Sequence, residues 1–480
     1  MPRGARALAR ISHHVSTAGA GLLLLATGCG GAAPDSETPK PPNLLLVTVD
    51  TLRTDRLDCY GGEPGLGEYL CSLADGGTRF EWAFSTAPYT APSIASVLTG
   101  LYPSAHGVRQ SAVTFLREEF DTLPELLRAA GYETAAFISN PVLERSRQLD
   151  QGFGVFDQEM PREERNRPGV VERVAQSTTD AALAWAQIAA EPPWFMWVHF
   201  QDPHGPYEPP DASAGYDEKG GTRLPVLETD HSGLGGIPSY QALPGLFTRE
   251  AYERRYADEI RYLDGHVKRL VEGLDALGDP PAVLVTADHG EAFGEDGYYF
   301  AHGHSVGLDQ IRVPLLWRPA APGAPAVARA AVSLLDVAPT LLRVAGLEVP
   351  EAWPGQPLPV TGSPISAGSP DRAIFAEHSR RAAVIVGDDY FARDRRKVVA
   401  GEPDPNSGGV VKLLPARTAR LDASGATPAY ELADGNPVAA ELEPALASFL
   451  EDAARSRVGA TRDAVPEEMR ERLRALGYTD

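Results

Sequence analysis

Residues 43–50, Asn-Leu-Leu-Leu-Val-Thr-Val-Asp, read as a buried parallel strand: a nearly unbroken apolar run rich in branched residues, stopped by a carboxylate. A half-exposed strand would alternate polar and apolar positions, and this one does not. Four further runs share the pattern, at 134–138, 195–200 (FMWVHF), 282–287 (AVLVTA) and 313–317. Helical spacing fills the intervals at 122–130, 169–190, 249–277 and 334–345, the last closed by Gly346. Strands alternating with helices over this length predict an α/β fold, a three-layer α/β/α sandwich around a mostly parallel sheet. Ligands of such sheets gather outside the carboxyl ends of the strands. That rule points at Asp50, at the segment after Phe200, and at Asp288.

The remaining chain is organised around that core. Residues 43–349 are expected to form the main domain, with a Gly/Pro/Asp-rich excursion at 205–247 running over its surface. A Pro/Gly/Ser-rich connector follows at 350–370. Short alternating segments at 382–386, 389–391 and 410–414, a helix at 439–454 and another near 467–476 predict a small C-terminal α+β subdomain over 371–480.

The 480 residues carry a net charge of −21, with no basic run, which argues against a nucleic-acid partner. An anionic substrate would need a local positive site such as a metal. At the N-terminus, three arginines precede the apolar stretch AGAGLLLLATG, too short to span a bilayer and shaped like an export signal, residues 1–28. Ala26-Thr27-Gly28-Cys29 resembles a bacterial lipobox. The resemblance implies cleavage before Cys29, lipidation there, and a flexible tether over 29–42. The expected location is the bacterial cell envelope, lipid-anchored and facing the periplasm or exterior. Cys59 and Cys71 allow a disulfide or two buried free thiols.

The chemistry concentrates in residues 88–107, PYTAPSIASVLTGLYPSAHG. Pro92 near the start and Gly100 at the end bound a short helix, placing Thr90 at its N-terminus, where backbone N–H groups and the helix dipole favour an anion. Ala287-Asp288-His289-Gly290 leaves a strand directly and presents a carboxylate and an imidazole. Asp50, Thr90, Asp288 and His289 together predict one open site for a divalent ion: Mn²⁺, Zn²⁺, Ca²⁺ or Mg²⁺. His204, His302 and His304 are candidates to grip substrate oxygens or protonate a leaving group. His199 lies inside a strand run and reads as core.

The order of motifs resembles the sulfatase family of the alkaline-phosphatase superfamily. The stretches that carry it are PNLLLVTVDTLRTDRLDCYG, PYTAPSIASVLTGLYPSAHGV, TLPELLRAAGYETAAF, VHFQDPHGPY, LVTADHGEAFGEDGYYFAHGHS, RVPLLW and ERLRALGYTD. The resemblance implies a mixed central sheet, a C-terminal subdomain and metal-dependent ester hydrolysis. It matches Asp50, Asp288 and His289 to metal ligands, Thr90 to the nucleophile, and His204 and His302 to substrate-contacting groups, with His304 beside them. The departures are specific. Thr90 stands where the family has a Cys or Ser that is oxidised to formylglycine, and threonine cannot become that aldehyde. Ile94 replaces an arginine, Thr51 an aspartate, and Ile138-Ser139-Asn140-Pro141 a Lys-Trp-His segment. Thr90 with this metal set is more similar to the superfamily's phosphodiesterases and phosphoglycerol transferases. The expected function is therefore metal-dependent hydrolysis or transfer of phosphate, phosphonate or sulfate esters with Thr90 attacking directly. The expected substrate is a small, glycan-linked or lipid-linked anionic ester. A true sulfatase, and an inactive lipoprotein that binds an anionic glycan or lipid headgroup, are the alternatives.

Overall fold

The computed structural model describes residues 40–455, apart from 112–113, 164–170, 189, 211–219, 229, 363–368, 370, 396–411, 413 and 423. The expected export signal, Cys29 and the helix near 467–476 lie outside the described residues. Everything below belongs to the unit that begins at Pro41. No described helix is long and apolar enough to cross a membrane.

Nine strands form the central sheet: β1 Leu44–Val49, β2 Thr78–Phe84, β3 Glu133–Ile138, β4 Val155–Asp157, β5 Trp194–Phe200, β6 Ala282–Ala287, β7 Arg312–Arg318, β8 Ala326–Ala328 and β9 Val332–Ser333. Their order is β8-β2-β7-β6-β1-β5-β3-β4, with β9 also pairing β2. β7 is antiparallel to both neighbours, and every other pairing is parallel. The sheet is thus mostly parallel and mixed, as expected, and the run at 313–317 supplies the reversed strand.

Two groups of helices enclose the sheet. α1 Thr90–Thr99, α2 Leu123–Ala129 and α5 Val337–Val344 pack on one another, while α3 Ala175–Ile188 packs on α4 Arg249–Asp275. With cover on both faces, every residue of β1 is buried, which is why the sequence shows no polar alternation. α2 starts at a capping box in which Thr122 accepts from the Glu125 N–H and the Glu125 side chain accepts from Thr122 N–H. Cys59 and Cys71 form a disulfide, which settles the alternative left open by the sequence.

Beyond the connector, β10 Ile374–Glu377, β11 Arg381–Val386, β12 Asp389–Asp394, β13 Arg417–Arg420 and β14 Glu431–Leu432 form an antiparallel sheet. Of the expected segment at 410–414 only Lys412 and Leu414 are described, neither in a strand, and the fourth strand starts at Arg417. α6 Pro437–Arg455 covers one face through Leu442 and Leu446. The other face shares a cluster with the main sheet, where Trp82 and Phe84 of β2 meet Ile374, Ile385 and Tyr390.

Parallel register places the site. Val49 lies opposite Ala287 on one side and Phe200 on the other, while Ile138 lies opposite His199. Asp50, Asp288 and Gln201 therefore leave adjacent strands at one level, with Ser139 and Asn140 beside them. Main-chain bonds seal the edge: Asp50 N–H donates to the Phe200 carbonyl at 2.9 Å, and Asp288 N–H to that of Val49 at 3.1 Å.

Candidate active site

Thr90 opens α1 directly after its cap residue Tyr89, and all ten residues of the helix are buried. A buried helix inside a mainly apolar shell is held in place by its polar residues. Ser93 donates to the Asp288 carbonyl at 2.7 Å and bonds Ser85 at 2.9 Å, while Ser96 accepts from Thr86 at 2.8 Å and meets His106 Nε2 at 3.1 Å. The Ser93 bond ties the turn after Thr90 to the loop carrying Asp288. Thr90 Oγ1 comes to 3.3 Å from His289 Nε2.

Asp50, Asp288 and His289 each direct a ligand atom to one place, all within 4.8 Å of one another, and none of the three side chains is exposed. His289 Nδ1 sits 2.9 Å from the Gly290 carbonyl, which fixes the proton on Nδ1 and leaves Nε2 bare. That nitrogen lies 3.7 Å from Asp50 Oδ1 and 3.6 Å from Asp288 Oδ2. These two oxygens are buried and have no hydrogen-bond partner among the described residues. Burying two carboxylates side by side without a counter-charge is strongly unfavourable. Burial and the charge of Asp50 push Asp288 well up. Burial alone would raise Asp50 too, but the imidazoles of His204, His199 and His289 hold it below the usual carboxylate range. Burial keeps His289 neutral, the form that ligates. Two orphaned carboxylate oxygens, a bare imidazole nitrogen and a nearby hydroxyl suit a divalent cation.

Thr51 shows the cost of this arrangement. It follows Asp50 with φ 57°, a left-handed conformation that a β-branched residue seldom adopts. Its N–H donates to Asp288 Oδ1 at 3.2 Å and its carbonyl accepts from Tyr256 at 2.7 Å. The turn is thus clamped from both sides as the chain leaves β1.

Three residues complete the site although sequence reasoning gave them no role. Asn140 Nδ2 donates to Asp50 Oδ2 at 2.5 Å. His199, read as core, is indeed buried in β5, yet its Nε2 lies 3.7 Å from the same oxygen while Thr48 meets its Nδ1 at 2.8 Å. Glu291 is wholly buried, accepts from Tyr207 at 2.6 Å, and lies 2.9 Å from His302 Nδ1. Burial pushes its carboxyl up to about 7, against the pull of His204 and the Tyr207 hydroxyl. The strand-end rule, applied to residues 134–138, would have flagged Asn140, and the Asp288-His289-Gly290-Glu291 run contained the third.

The candidate histidines divide. His302 lies tilted against His289, ring centres 4.5 Å apart, and His204 meets His302 edge-on at 5.2 Å. Both therefore face the Asp50–Thr90–Asp288–His289 group. Gly303 permits this approach: at φ 75° it lies so close to the Tyr89 ring that a Cβ would come within 2.4 Å of it. His304 is directed elsewhere, stacked on Tyr298 with ring centres 3.6 Å apart and bonded to Gln310 at 2.8 Å.

Comparison with known proteins identifies the family. The family model for sulfatases matches residues 42–347. An uncharacterized sulfatase of Escherichia coli, YidJ, is 26% identical over 384 residues, covering 71% of this chain and 74% of its own. A structure solved in complex with D-glucosamine-2-N,6-O-disulfate superposes with TM-score 0.65 at 18% identity, over 87% of this chain and 98% of the other. The phosphonate monoester hydrolase of Silicibacter pomeroyi superposes with TM-score 0.59 at 21% identity, over 86% and 96%. The chain belongs to the sulfatase family.

Proposed function

We propose that the protein is a metal-dependent hydrolase or transferase of phosphate or phosphonate esters in which Thr90 is the nucleophile. The observation that carries this reading is a hydroxyl that cannot become formylglycine, Thr90 Oγ1, buried at a helix N-terminus 3.3 Å from the bare nitrogen of His289, beside a site where Asp50 and Asp288 each keep one unbonded oxygen. Asp50, Asp288 and His289 would hold a divalent ion, with Thr90 beside it. Such an ion supplies positive charge that eases ionisation of a hydroxyl and offsets charge on a transferring group. Thr90 Oγ1, its proton released to solvent, then bonds the phosphorus while the bond to the departing oxygen breaks. His302, held by Glu291, and His204 flank the group as imidazoles that burial keeps neutral, so each offers ring N–H donation to the leaving oxygen, which takes its proton from solvent. Water, or an acceptor alcohol, displaces Thr90 from the covalent ester and frees the hydroxyl. The helix N-terminus faces the anion throughout. Lipid anchoring at Cys29 would place this chemistry at the envelope surface.

Family membership favours a second reading, sulfate-ester hydrolysis, in which Thr90 attacks sulfur without an aldehyde hydrate. Purified protein supplied with Mn²⁺, Zn²⁺, Ca²⁺ or Mg²⁺ should be assayed on aryl phosphate, phosphonate, phosphodiester and sulfate esters. Phosphorus-ester turnover that is lost in Thr90→Ala, with a Thr90 phosphoryl adduct by mass spectrometry, is expected. Sulfate release alone would select the second reading, and unchanged turnover in Thr90→Ala would remove Thr90 as nucleophile.

A further inference from the structure

The C-terminal subdomain reaches the active site through the turn at residues 378–380, between β10 and β11. Glu377, the last residue of β10, fixes its approach. The Glu377 N–H donates to the Thr86 carbonyl at 2.7 Å, and Glu377 Oε1 accepts from the Ser104 N–H at 3.0 Å and from Ser104 Oγ at 2.7 Å. Thr86 lies on the chain entering α1 and Ser104 on the chain leaving it. The turn is therefore pinned at both ends of the helix that opens with Thr90. His378 comes next, buried beside Tyr89 with ring centres 5.5 Å apart.

Two side chains then converge on one oxygen. Tyr89, the residue before Thr90, donates its hydroxyl to the Gly303 carbonyl at 2.7 Å, and the ring of His378 bonds the same carbonyl. Burial, then the charges of Arg380, Arg381 and Arg395, push the His378 imidazole down to about 3, so it is neutral and carries one hydrogen. Its Nδ1 accepts from the Arg380 N–H at 3.3 Å, which puts that hydrogen on Nε2, where Ser379 Oγ also lies 3.3 Å away. Gly303 stands between His302 and His304 and is packed so closely on the Tyr89 ring that it has no room to shift. Glu291 orients the His302 ring at Nδ1. The Gly303 carbonyl holds the backbone from which that ring projects.

We propose that His378 is a positioning residue for His302: through the Gly303 carbonyl, the C-terminal subdomain sets where that imidazole stands relative to Thr90, and with it which leaving groups can be expelled. The proposal rests on the functional reading above, because His302 faces a leaving oxygen only if Thr90 attacks an ester. An alcohol departs as a strongly basic alkoxide and gains most from an N–H at its oxygen, whereas 4-nitrophenolate is weakly basic and gains least. A misplacement of about 1 Å, caused at a distance from the chemistry, can cost about 100-fold in rate.

The test compares wild type with His378→Ala, with His378→Gln, which keeps a side-chain N–H, and with Tyr89→Phe, which removes only the other donor. Turnover of the 4-nitrophenyl and benzyl esters of phosphate is measured on Zn²⁺-loaded protein, and Zn²⁺ affinity by calorimetry. His378→Ala is expected to lower kcat on the benzyl ester about 10- to 100-fold and on the 4-nitrophenyl ester far less, with Zn²⁺ affinity unchanged. His378→Gln should recover part of the loss. Equal losses on the two esters, or weakened Zn²⁺ binding, would mark a general folding defect and overturn the proposal. A second measurement needs no turnover: nitrogen NMR of the histidine rings, with the His302 signals identified by their absence in His302→Gln. Those signals should move in His378→Ala and in Tyr89→Phe, and unmoved signals overturn the proposal. If wild type cleaves neither ester, the functional reading fails for phosphate monoesters and the ring signals alone decide whether His378 positions His302.

Discussion

Asn140 stands where the family resemblance leads one to expect a basic segment, and it donates to Asp50 instead. A neutral amide cannot replace the lost positive charge, but it fixes the orientation of the carboxylate that faces Thr90. Groups that orient a metal-ligating side chain typically contribute 10–100-fold to activity or metal affinity. Asn140→Ala is therefore expected to lower kcat/KM about 10–100-fold with the circular dichroism spectrum unchanged, and wild-type kinetics would show that Asp50 needs no such support. A different residue reports on burial. His106 is fully buried and accepts from the Val108 N–H at Nδ1, so its Nε2–H points to Ser96. Burial, reinforced by Arg109, lowers its pKa to about 3. Because the folded value lies below the unfolded one, the unfolded chain binds the extra proton between about pH 3 and 6.5. The stability due to His106 is thus complete above pH 6.5 and lost as pH falls towards 3, by about 1.4 kcal/mol per unit. Urea unfolding of wild type and His106→Gln should show a difference that narrows from pH 7 to pH 5. A constant difference would mean that the imidazole is not held neutral.

Among the elements, the buried parallel strands were legible because burial on both faces leaves a composition that few other environments produce. β1, β3, β5, β6 and β7 all follow from that. β2 was not, since Arg79 and Glu81 interrupt its apolar run. The structure shows why they are tolerated: Arg79 pairs with Glu81 at 2.9 Å, and Arg312 of β7 lies over Trp82, 3.8 Å from the ring centre. Compensation arriving from β7, remote in sequence, cannot be read locally. β8 and β9 are three and two residues long, too short for any period to register. α1 was legible from its proline and glycine alone, whereas the hydroxyl network that fixes its axis depends on the partners Ser85, Asp288 and His106. The pairing of Cys59 with Cys71 was one of two open readings. Closing a loop of 12 residues stabilises a protein by about 3 kcal/mol through the unfolded chain. The double variant Cys59→Ser/Cys71→Ser should lose about that much in urea unfolding while keeping its kcat, because the disulfide touches none of the Thr90–Asp50–Asp288–His289 group. Unaltered stability would show that the reduced chain is equally constrained.

The whole molecule draws the site from three elements that meet only when the sheet is complete: the ends of β1 and β6 and the start of α1. Motif spacing made the four central residues legible. Their second contacts, Asn140, His199 and Glu291, belong to the assembled edge and became visible only with strand register. A ligand that bridges these elements binds the folded state alone and stabilises it by about 2.7 kcal/mol at a hundredfold excess over its Kd. Without that ligand, the opposed carboxylates of Asp50 and Asp288 work against folding, since each is fully buried and together they offer two oxygens with no partner. These two effects have opposite signs under one substitution. Asp288→Asn puts a neutral amide where burial and Asp50 already push the carboxyl well up, so in chelator the variant should melt no lower than wild type. In Mn²⁺ or Zn²⁺ the wild type should gain several degrees and the variant little. Calorimetry of both proteins, with and without chelator, measures all four states. An equal metal-dependent gain in the two proteins would move the ion away from Asp50, Asp288 and His289. A variant that melts far below wild type in chelator would mean instead that the carboxylate pair stabilises the fold without any metal.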